Sequence, residues 1–458
     1  MGILRQDLNE LENKELWKVF FKYFTCGLIF YFILQLENIT IPLFLGQMGR
    51  EVFFSFTTAQ PILQLIFSIG IVVGIGGSVL VSIKLGQNRR QEAEKVLGNS
   101  IVLLIIISLV VLLLALVFKD YLPIRISGYE KGVFFRYFIS RLSGITFYVL
   151  ASNLILFLIA AGNPFKALSV AFLSQILKVI AVIMYKGTNS DLVYLGILLN
   201  LVDLLVCVFI LKHFIQIKTG ILKLEKEDLK PGRVSLTILA IGVMPWLLVL
   251  VKDIYNHIIF NNFTIMEHDE LVSYSMVRNY IYSLFFLFIN ALSWIRPIFS
   301  YNYGKENFNR IKILLQRLAI IVPVVIFLLF IPVMFYGKSL ISIFVGESSM
   351  LGPVKDIFKY SIIILPLTGF ASLVFIYLQA TAKKLKLLIV YLSNIIFLII
   401  PLILLTKYHF NMNLDKLMII NTTVAVLMFI ITAIVVVIDF WNLNKIKQSS
   451  TSSGAVRT

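Results

Sequence analysis

Asp253 lies eight residues after Pro245 in a long apolar stretch, with Asn256 and His257 just beyond it. On a helix Asp253 and His257 stand at i, i+4 on one face, where they could pass a proton or hold a cation. The bland alternative is that Lys252 and Asp253 pair with neighbouring helices for structural reasons. Asn200 and Asp203, at i, i+3, share a face in another apolar run. Asp203 reads either as a cation ligand or proton site, or as the partner of a buried cation. Glu37 precedes Asn38, Thr40 and Pro42. The proline loosens backbone bonds there, and the Asn and Thr side chains can satisfy what it frees. Glu37 therefore reads as functional, or as a residue near the outer headgroups.

Two cations join these candidates. Lys178 is central in its apolar run, too far from either end to snorkel, so it must be paired, neutral or facing water. A pair with Glu37 or Asp203 would give a charge-neutral internal site. Arg278 stands among Tyr274, Asn279, Tyr280 and Tyr282. Aromatic rings beside acids would suit amphipathic organic cations, although such rings also serve as packing or lipid-facing residues. A charge at membrane depth costs about 3 kcal/mol on insertion scales, so each is a functional candidate by default. Arg296 lies closer to a boundary and can snorkel.

The elements that carry these residues follow from composition. The chain is 59% hydrophobic and only 14% charged, with a mean hydropathy of +0.92, which places it among membrane proteins. Twelve apolar stretches are long enough to cross a bilayer: 23–47, 54–83, 100–118, 137–161, 167–185, 192–211, 236–260, 272–298, 315–336, 357–381, 385–406 and 417–440. Short alternating segments do not dominate, so the fold class is an all-α polytopic membrane protein. Lys and Arg concentrate in the loops that share a side with both termini, which predicts cytoplasmic termini. The net charge of +17 is then largely topology, and no basic domain supports nucleic-acid binding. Cys26 and Cys207 fall inside helices, leaving no disulfide framework or metal-ligand spacing. The amino terminus lacks the pattern of a cleaved signal.

An internal repeat divides the chain. SIKLGQNRRQEAEKVL at Ser82–Leu97 is echoed by SYNYGKENFNRIKILL at Ser300–Leu315. A second echo joins IAAGNPFKA at Ile159–Ala167 to LQATAKKLK at Leu378–Lys386. The spacing predicts two six-helix bundles of parallel topology, related by an axis along the membrane normal. The basic loop from Lys212 to Arg233 is the boundary. The expected lobes are residues 1–220 and 221–445, with 446–458 a disordered Ser/Thr-rich tail.

No nucleotide-binding loop is present. Gly337–Ser339 reads GKS, but Pro332 stands where a phosphate loop needs its first glycine. Paired catalytic acids, a metal-ligand cluster and a nucleophile elbow are also missing, so the sequence does not read as an enzyme. A secondary transporter, driven by an ion gradient, is the simplest reading.

RPIFSYNYGKENFNRIK at Arg296–Lys312 resembles the multidrug and toxic compound extrusion (MATE) family, as do Pro61 with GIVVGIGGSVLVSIKLG and the AAGNPFKA segment. The stretch from Gly242 to Pro245, with an acid eight residues on, is similar to the seventh helix of one MATE branch. The resemblance runs from about residue 20 to 440. It implies twelve helices in two lobes and an antiporter exporting cationic or amphipathic compounds against H+ or Na+, with Asp253 at the family's acidic position. It also implies the inner (cytoplasmic) membrane of a bacterium, a monomer, and no cofactor or metal beyond the coupling ion. Some family positions differ. Thr40 or Ile41 stands where many members carry an aspartate, with Glu37 a turn away. Ser174 and Lys178 replace a usual Asn and Asp, and no acid lies between Lys359 and Lys383. Either coupling has moved to Asp253, Glu37 and Asp203, or the chain is a specialised or degenerate member. A flippase for a lipid-linked saccharide or lipid precursor is the alternative, favoured by the cations Lys178, Lys252, Arg278 and Arg141.

Overall fold

A computed structural model describes residues 10–12, 14–119, 129–186, 191–216, 222–230, 232–262, 270, 273–274, 276–342, 353–407 and 414–454. The described residues are almost entirely helical. The helices are α1 (Leu16–Gly46), α2 (Arg50–Ser68), α3 (Gly70–Gly86), α4 (Arg90–Val117), α5 (Tyr129–Ser143), α6 (Ile145–Ala160), α7 (Pro164–Lys186), α8 (Leu192–Gln216) and α9 (Arg233–Asn262). A π-helical turn at Val277–Tyr282 leads into α10 (Ser283–Ala291), followed by a 3-10 turn at Leu292–Ile295 and α11 (Arg296–Gly304). The chain ends with α12 (Phe308–Ser342), α13 (Val354–Ala380), α14 (Lys384–Lys407) and α15 (Leu414–Gly454).

Eleven of the twelve apolar stretches fall on one helix or a consecutive pair, and 272–298 runs over the π turn, α10, the 3-10 turn and the start of α11. Among the described residues ten spans are long and apolar enough to cross a membrane. The bent pair α5 and α6, inclined by 55°, makes an eleventh, and Arg233–Leu247 is a shorter apolar helix. Backbone groups in a bilayer must be satisfied within the segment, which is why runs of this length become helices. The helix α15 continues through Gly454, into the stretch that composition suggests is a tail.

Contacts divide the chain into two compact units. Unit 1 comprises Met1–Trp246 and Trp294–Lys305, and unit 2 comprises Leu247–Ser293 and Glu306–Thr458. The division in α9 thus falls beside Pro245, and α11 belongs with the first eight helices. In unit 1 the glycine-rich α3 is central, packing on α4, α6 and α11. Its crossing with α11 is reciprocal: a Cβ on Gly86 would lie 2.2 Å from the Tyr301 carbonyl oxygen, and one on Gly304 would lie 2.2 Å from that of Ile83. Small residues let helix backbones approach this closely, and no larger side chain fits. In unit 2 the central helix is α13, which packs on α12 and α15.

The turn geometry repeats as the sequence does. Asn88 after α3 and Glu306 after α11 have φ of 60° and 58°; Gly162 after α6 and Ala382 after α13 have φ of 90° and 51°. In the second pair a bond from Asn163 N–H to Leu158 C=O, 3.0 Å, matches one from Lys383 N–H to Leu378 C=O, 3.1 Å. Both close the helix with the six-to-one bond of a Schellman motif.

Two outcomes follow from these contacts. Gly304→Leu forces side-chain atoms into the Ile83 backbone and should cost at least about 2 kcal/mol. It would be read as a lower melting temperature and loss of the monodisperse peak in detergent, while Gly132→Ala, in open space, serves as the unaffected control. Ala382→Gly relieves a left-handed alanine and should raise stability by about 0.5–1 kcal/mol, measured by the same thermal melt.

Candidate functional site

The buried polar centre of unit 1 is built around the break between α5 and α6. Gly144 sits at that break because Asn200 of α8 fills the place of a side chain, its Cγ 2.2 Å from where a Cβ would stand. Asn200 Nδ2 donates to the Ser140 carbonyl at 2.7 Å and to Ser143 Oγ at 3.3 Å. Its Oδ1 accepts from the Arg141 guanidinium. The other arm of Arg141 donates to Asp203 Oδ2 at 2.7 Å. Arg141 is 5% exposed and Asp203 2%, so this is a buried ion pair that must be satisfied within the protein.

Aromatic rings complete the centre. The Arg141 guanidinium lies 5.4 Å from the ring centroids of both Phe67 and Tyr148, and those rings are 4.4 Å apart. The buried Lys178 ammonium lies 5.9 Å from the Tyr148 centroid. Two cations thus share one tyrosine ring within the roughly 6 Å range of cation–π attraction. Of the partners considered for Lys178, Asp203 gives Oδ2 to Arg141. The helices carrying Glu37 and Lys178, α1 and α7, pack against each other. The side chains of Glu37, Asp253, Asn256 and His257 lie outside the described residues, although their backbones belong to α1 and α9.

A cavity of about 180 Å³ lies between α1 and α2, lined by Pro42, Pro61, Thr57, Gln60 and Gln64 among others. Pro61 cannot donate to the Thr57 carbonyl, which leaves a backbone acceptor beside this chamber. The larger chamber, about 290 Å³, is formed within unit 2 by residues of α9, the π turn, α10, α13, α14 and α15. Its wall includes Arg278, Tyr274, Tyr282 and Phe286 on one side, with Asn394 and Asn421 on others. The Tyr282 hydroxyl is 2.6 Å from Ser361 Oγ. The structure therefore places Arg278, Tyr274 and Tyr282 on one cavity; Asn279 and Tyr280 have side chains outside the described residues.

Sequence reading missed two features. Asp439, 1% exposed, receives hydrogen bonds from Tyr377, Lys383 and Lys386. Burial pulls the Lys383 ammonium below its ordinary lysine value, against the attraction of Asp439. Unit 1 has Lys166 in the corresponding turn, its Nζ 2.6 Å from His213 Nδ1. The visible signal was a lone acid at the edge of an apolar run. The second feature is the amino terminus: Asn302 Nδ2 donates to the carbonyl of the buried Leu11 at 3.2 Å, and Lys305 bridges Glu12 at 3.1 Å. The segment SYNYG is thereby tied to the start of the chain.

Among the described residues no group of three or more His, Cys, Asp or Glu could hold a metal ion. The apolar spans and the repeated turns define a polytopic membrane protein with an internal repeat. The MatE family model matches residues 28–184 and 265–405, and the chain belongs to that family. It is similar in fold to an outward-facing multidrug resistance MATE family transporter, at 15% identity and a TM-score of 0.83, covering 95% of this chain and 98% of that one. A MOP superfamily transporter from Pyrococcus furiosus Vc1, described as having a binding pocket of reverse polarity, aligns equally well at 15% identity, with 96% and 98% covered and a TM-score of 0.83. A MATE structure in the bent conformation matches at 16% identity and 0.83, covering 97% and 99%. No match was found among curated proteins.

Removing one partner of a buried ion pair strands the other charge. Asp203→Asn should therefore destabilise the protein by about 3–5 kcal/mol. The double variant Arg141→Gln with Asp203→Asn should recover most of that loss in a thermal melt. Additive losses would show that the pair is not what Asp203 contributes.

Proposed function

We propose that this MATE-family transporter is a secondary active antiporter. It exports small amphipathic organic compounds in exchange for H+ or Na+ by alternating access. The observation that carries this reading is the unit 2 cavity, with a wall that combines ring faces, side-chain amides and one guanidinium. A largely apolar pocket with a few placed polar groups is the usual form of a small-molecule site. At about 290 Å³ it is near the lower end of the ligand-pocket range, large enough for a compact aromatic compound.

Asp253 is the coupling acid in this reading, with Glu37 as the second. Asp203 already serves Arg141. Asn256 and His257 stand close enough in sequence to Asp253 to assist it, and Asn200 acts through Arg141 as a positioning residue. The chain works as a monomer in the inner membrane of a bacterium, with both termini cytoplasmic. The positive-inside bias supports that orientation.

The buried Arg141 and Lys178 of unit 1 favour a second reading, a flippase for a lipid-linked saccharide or lipid precursor. The Pyrococcus furiosus transporter of similar fold is likewise described as having a pocket of reverse polarity that suggests a different function. Against it, a chamber of this volume does not hold a polyprenyl chain and its sugars.

Expression in an efflux-deficient bacterium should lower dye accumulation, and collapsing the ion gradient should abolish the effect. Asp253→Asn should remove gradient-dependent efflux while leaving folding intact. Liposomes that translocate a polyprenyl-linked sugar and export no small compound would establish the flippase instead.

A further inference from the structure

The two copies of the repeat differ in what their polar side chains bind. Tyr301, Asn302 and Lys305 stand where the first copy has Ile83, Lys84 and Gln87. Lys84 bridges Glu92 at the start of α4, 2.5 Å away. The three residues of the second copy all engage residues 10–12, the short helical stretch ahead of α1. Tyr301 hydrogen-bonds Glu12, Asn302 Nδ2 donates to the Leu11 carbonyl at 3.2 Å, and Lys305 bridges Glu12 at 3.1 Å. The Leu11 side chain is fully buried.

These contacts fall on the end of the α3–α11 crossing. Tyr301 is the residue whose carbonyl faces Gly86, and Asn302 stands between it and Gly304. Residues 10–12 therefore grip the part of α11 that meets α3, and all three elements lie inside unit 1. Glu10 ties the stretch back to α1 through Lys22 at 2.9 Å. The grip is made of bonds that can be given up. Asn302 is buried, yet its Oδ1 has no partner among the described residues, and an unmet buried acceptor marks a contact made at a cost. Its Nδ2 also donates to the Ile298 carbonyl at 2.8 Å, so the bond to Leu11 can break without leaving that amide idle. The side chains of Lys305 and Glu12 keep 23% and 32% of their exposure, and pairs so open to solvent are individually weak.

We propose that residues 10–12 form a strap that holds the cytoplasmic end of the α3–α11 crossing shut and must leave α11 before that end opens. Alternating access requires a cytoplasmic opening in every cycle, so the proposal rests on the transporter reading and the orientation given above. The glycines let α3 and α11 close tightly but supply no bond that can be undone one side chain at a time. The strap supplies such bonds: one ion pair, two hydrogen bonds and one leucine. Moving elements are drawn from the less stable contacts of a fold, and this one is small enough to break and re-form.

The test uses the full-length protein with Cys26→Ala, Cys207→Ala and a reporter, Ser300→Cys. Ser300 lies one turn before Gly304 on the same face and is fully buried, so a maleimide reaches it when the crossing opens. The labelling rate is followed in detergent, with the melting temperature measured beside it. Leu11→Asp and Glu12→Lys should each raise the rate roughly fivefold or more. Glu12→Lys combined with Lys305→Glu should return it to within about twofold of the reporter protein. Glu15→Lys, at an exposed residue beside the strap that bridges Lys18, should leave the rate unchanged. The melting temperature should fall by less than about 3 °C in Glu12→Lys.

Unchanged labelling in Glu12→Lys overturns the strap; this variant and its charge swap decide the matter even if Leu11→Asp fails to fold. Faster labelling that follows a lower melting temperature and is not restored by the swap also overturns it, and would make residues 10–12 ordinary packing. Transport is read separately in liposomes, with a fluorescent dye under an imposed proton or sodium gradient. Labelling that depends on the strap, without gradient-driven movement of the dye, sustains the strap and defeats the antiporter reading. Gradient-driven efflux with labelling indifferent to the strap does the reverse.

Discussion

The close approach of α3 and α11 is the contact on which unit 1 depends. Ile83 and Gly86 meet Tyr301 and Gly304, and each glycine faces the other helix's carbonyl. Gly304 and Tyr301 are the repeat equivalents of Gly86 and Ile83, at the same sequence offset as the two copies of the repeat. The contact is therefore close to a two-fold in which each copy of the repeat reads the other. Within a membrane, burying apolar surface gives little drive for helices to associate, so packing of this closeness matters more than in water. α3 also meets α9 without intervening side chains, since a Cβ on Gly242 would lie 1.6 Å from the Val72 carbonyl. The Trp246 indole then donates to Ser68 Oγ at 3.1 Å, where α2 gives way to α3.

Around this frame the two units handle charge in opposite ways. Unit 1 buries its cations in a closed set: Arg141 with Asp203 and Asn200, and Lys178 against the same tyrosine ring. Both terminal nitrogens of Arg141 have protein acceptors, so the set favours one packed arrangement over adaptability. Unit 2 places Arg278 on a chamber and buries its principal ion cluster elsewhere, at Asp439 of α15, which Lys383 and Lys386 reach from the turn before α14 and from its first residues. The pseudo-symmetry of the backbone is thus kept while the chemistry diverges.

The sequence made the helices legible because hydropathy over a span averages many residues, and no single side chain can reverse it. The repeat was legible for a related reason: its glycines and charged turns are fixed by backbone contact, as the paired φ values of Asn88 and Glu306 show. Side-chain pairing was less accessible. Asn200 and Asp203 were visible as a polar face, but their partner Arg141 lies three helices earlier, and spacing along a chain carries no information about that distance. Asp439 escaped notice because an acid at the end of an apolar run looks like a boundary residue until Lys383 and Lys386 are brought to it. The cavity wall was half legible: the tyrosines around Arg278 suggested it, whereas Asn394 and Asn421 become neighbours only when α14 and α15 pack.

The division of the chain has a consequence for biogenesis. Unit 1 is closed by Trp294–Lys305, which leaves the ribosome long after α8 is complete. At translation rates of about 5–20 residues per second, α3 waits on the order of ten seconds for the helix its glycine face is shaped to receive. During that interval the grooved backbone of α3 is open to lipid or to other small-residue helices. The amino-terminal half cannot mature as an independent module, and the insertion machinery must tolerate an unfinished bundle until two-thirds of the polypeptide has been made. The duplication that generated the two halves thereby ties the first to the synthesis of the second.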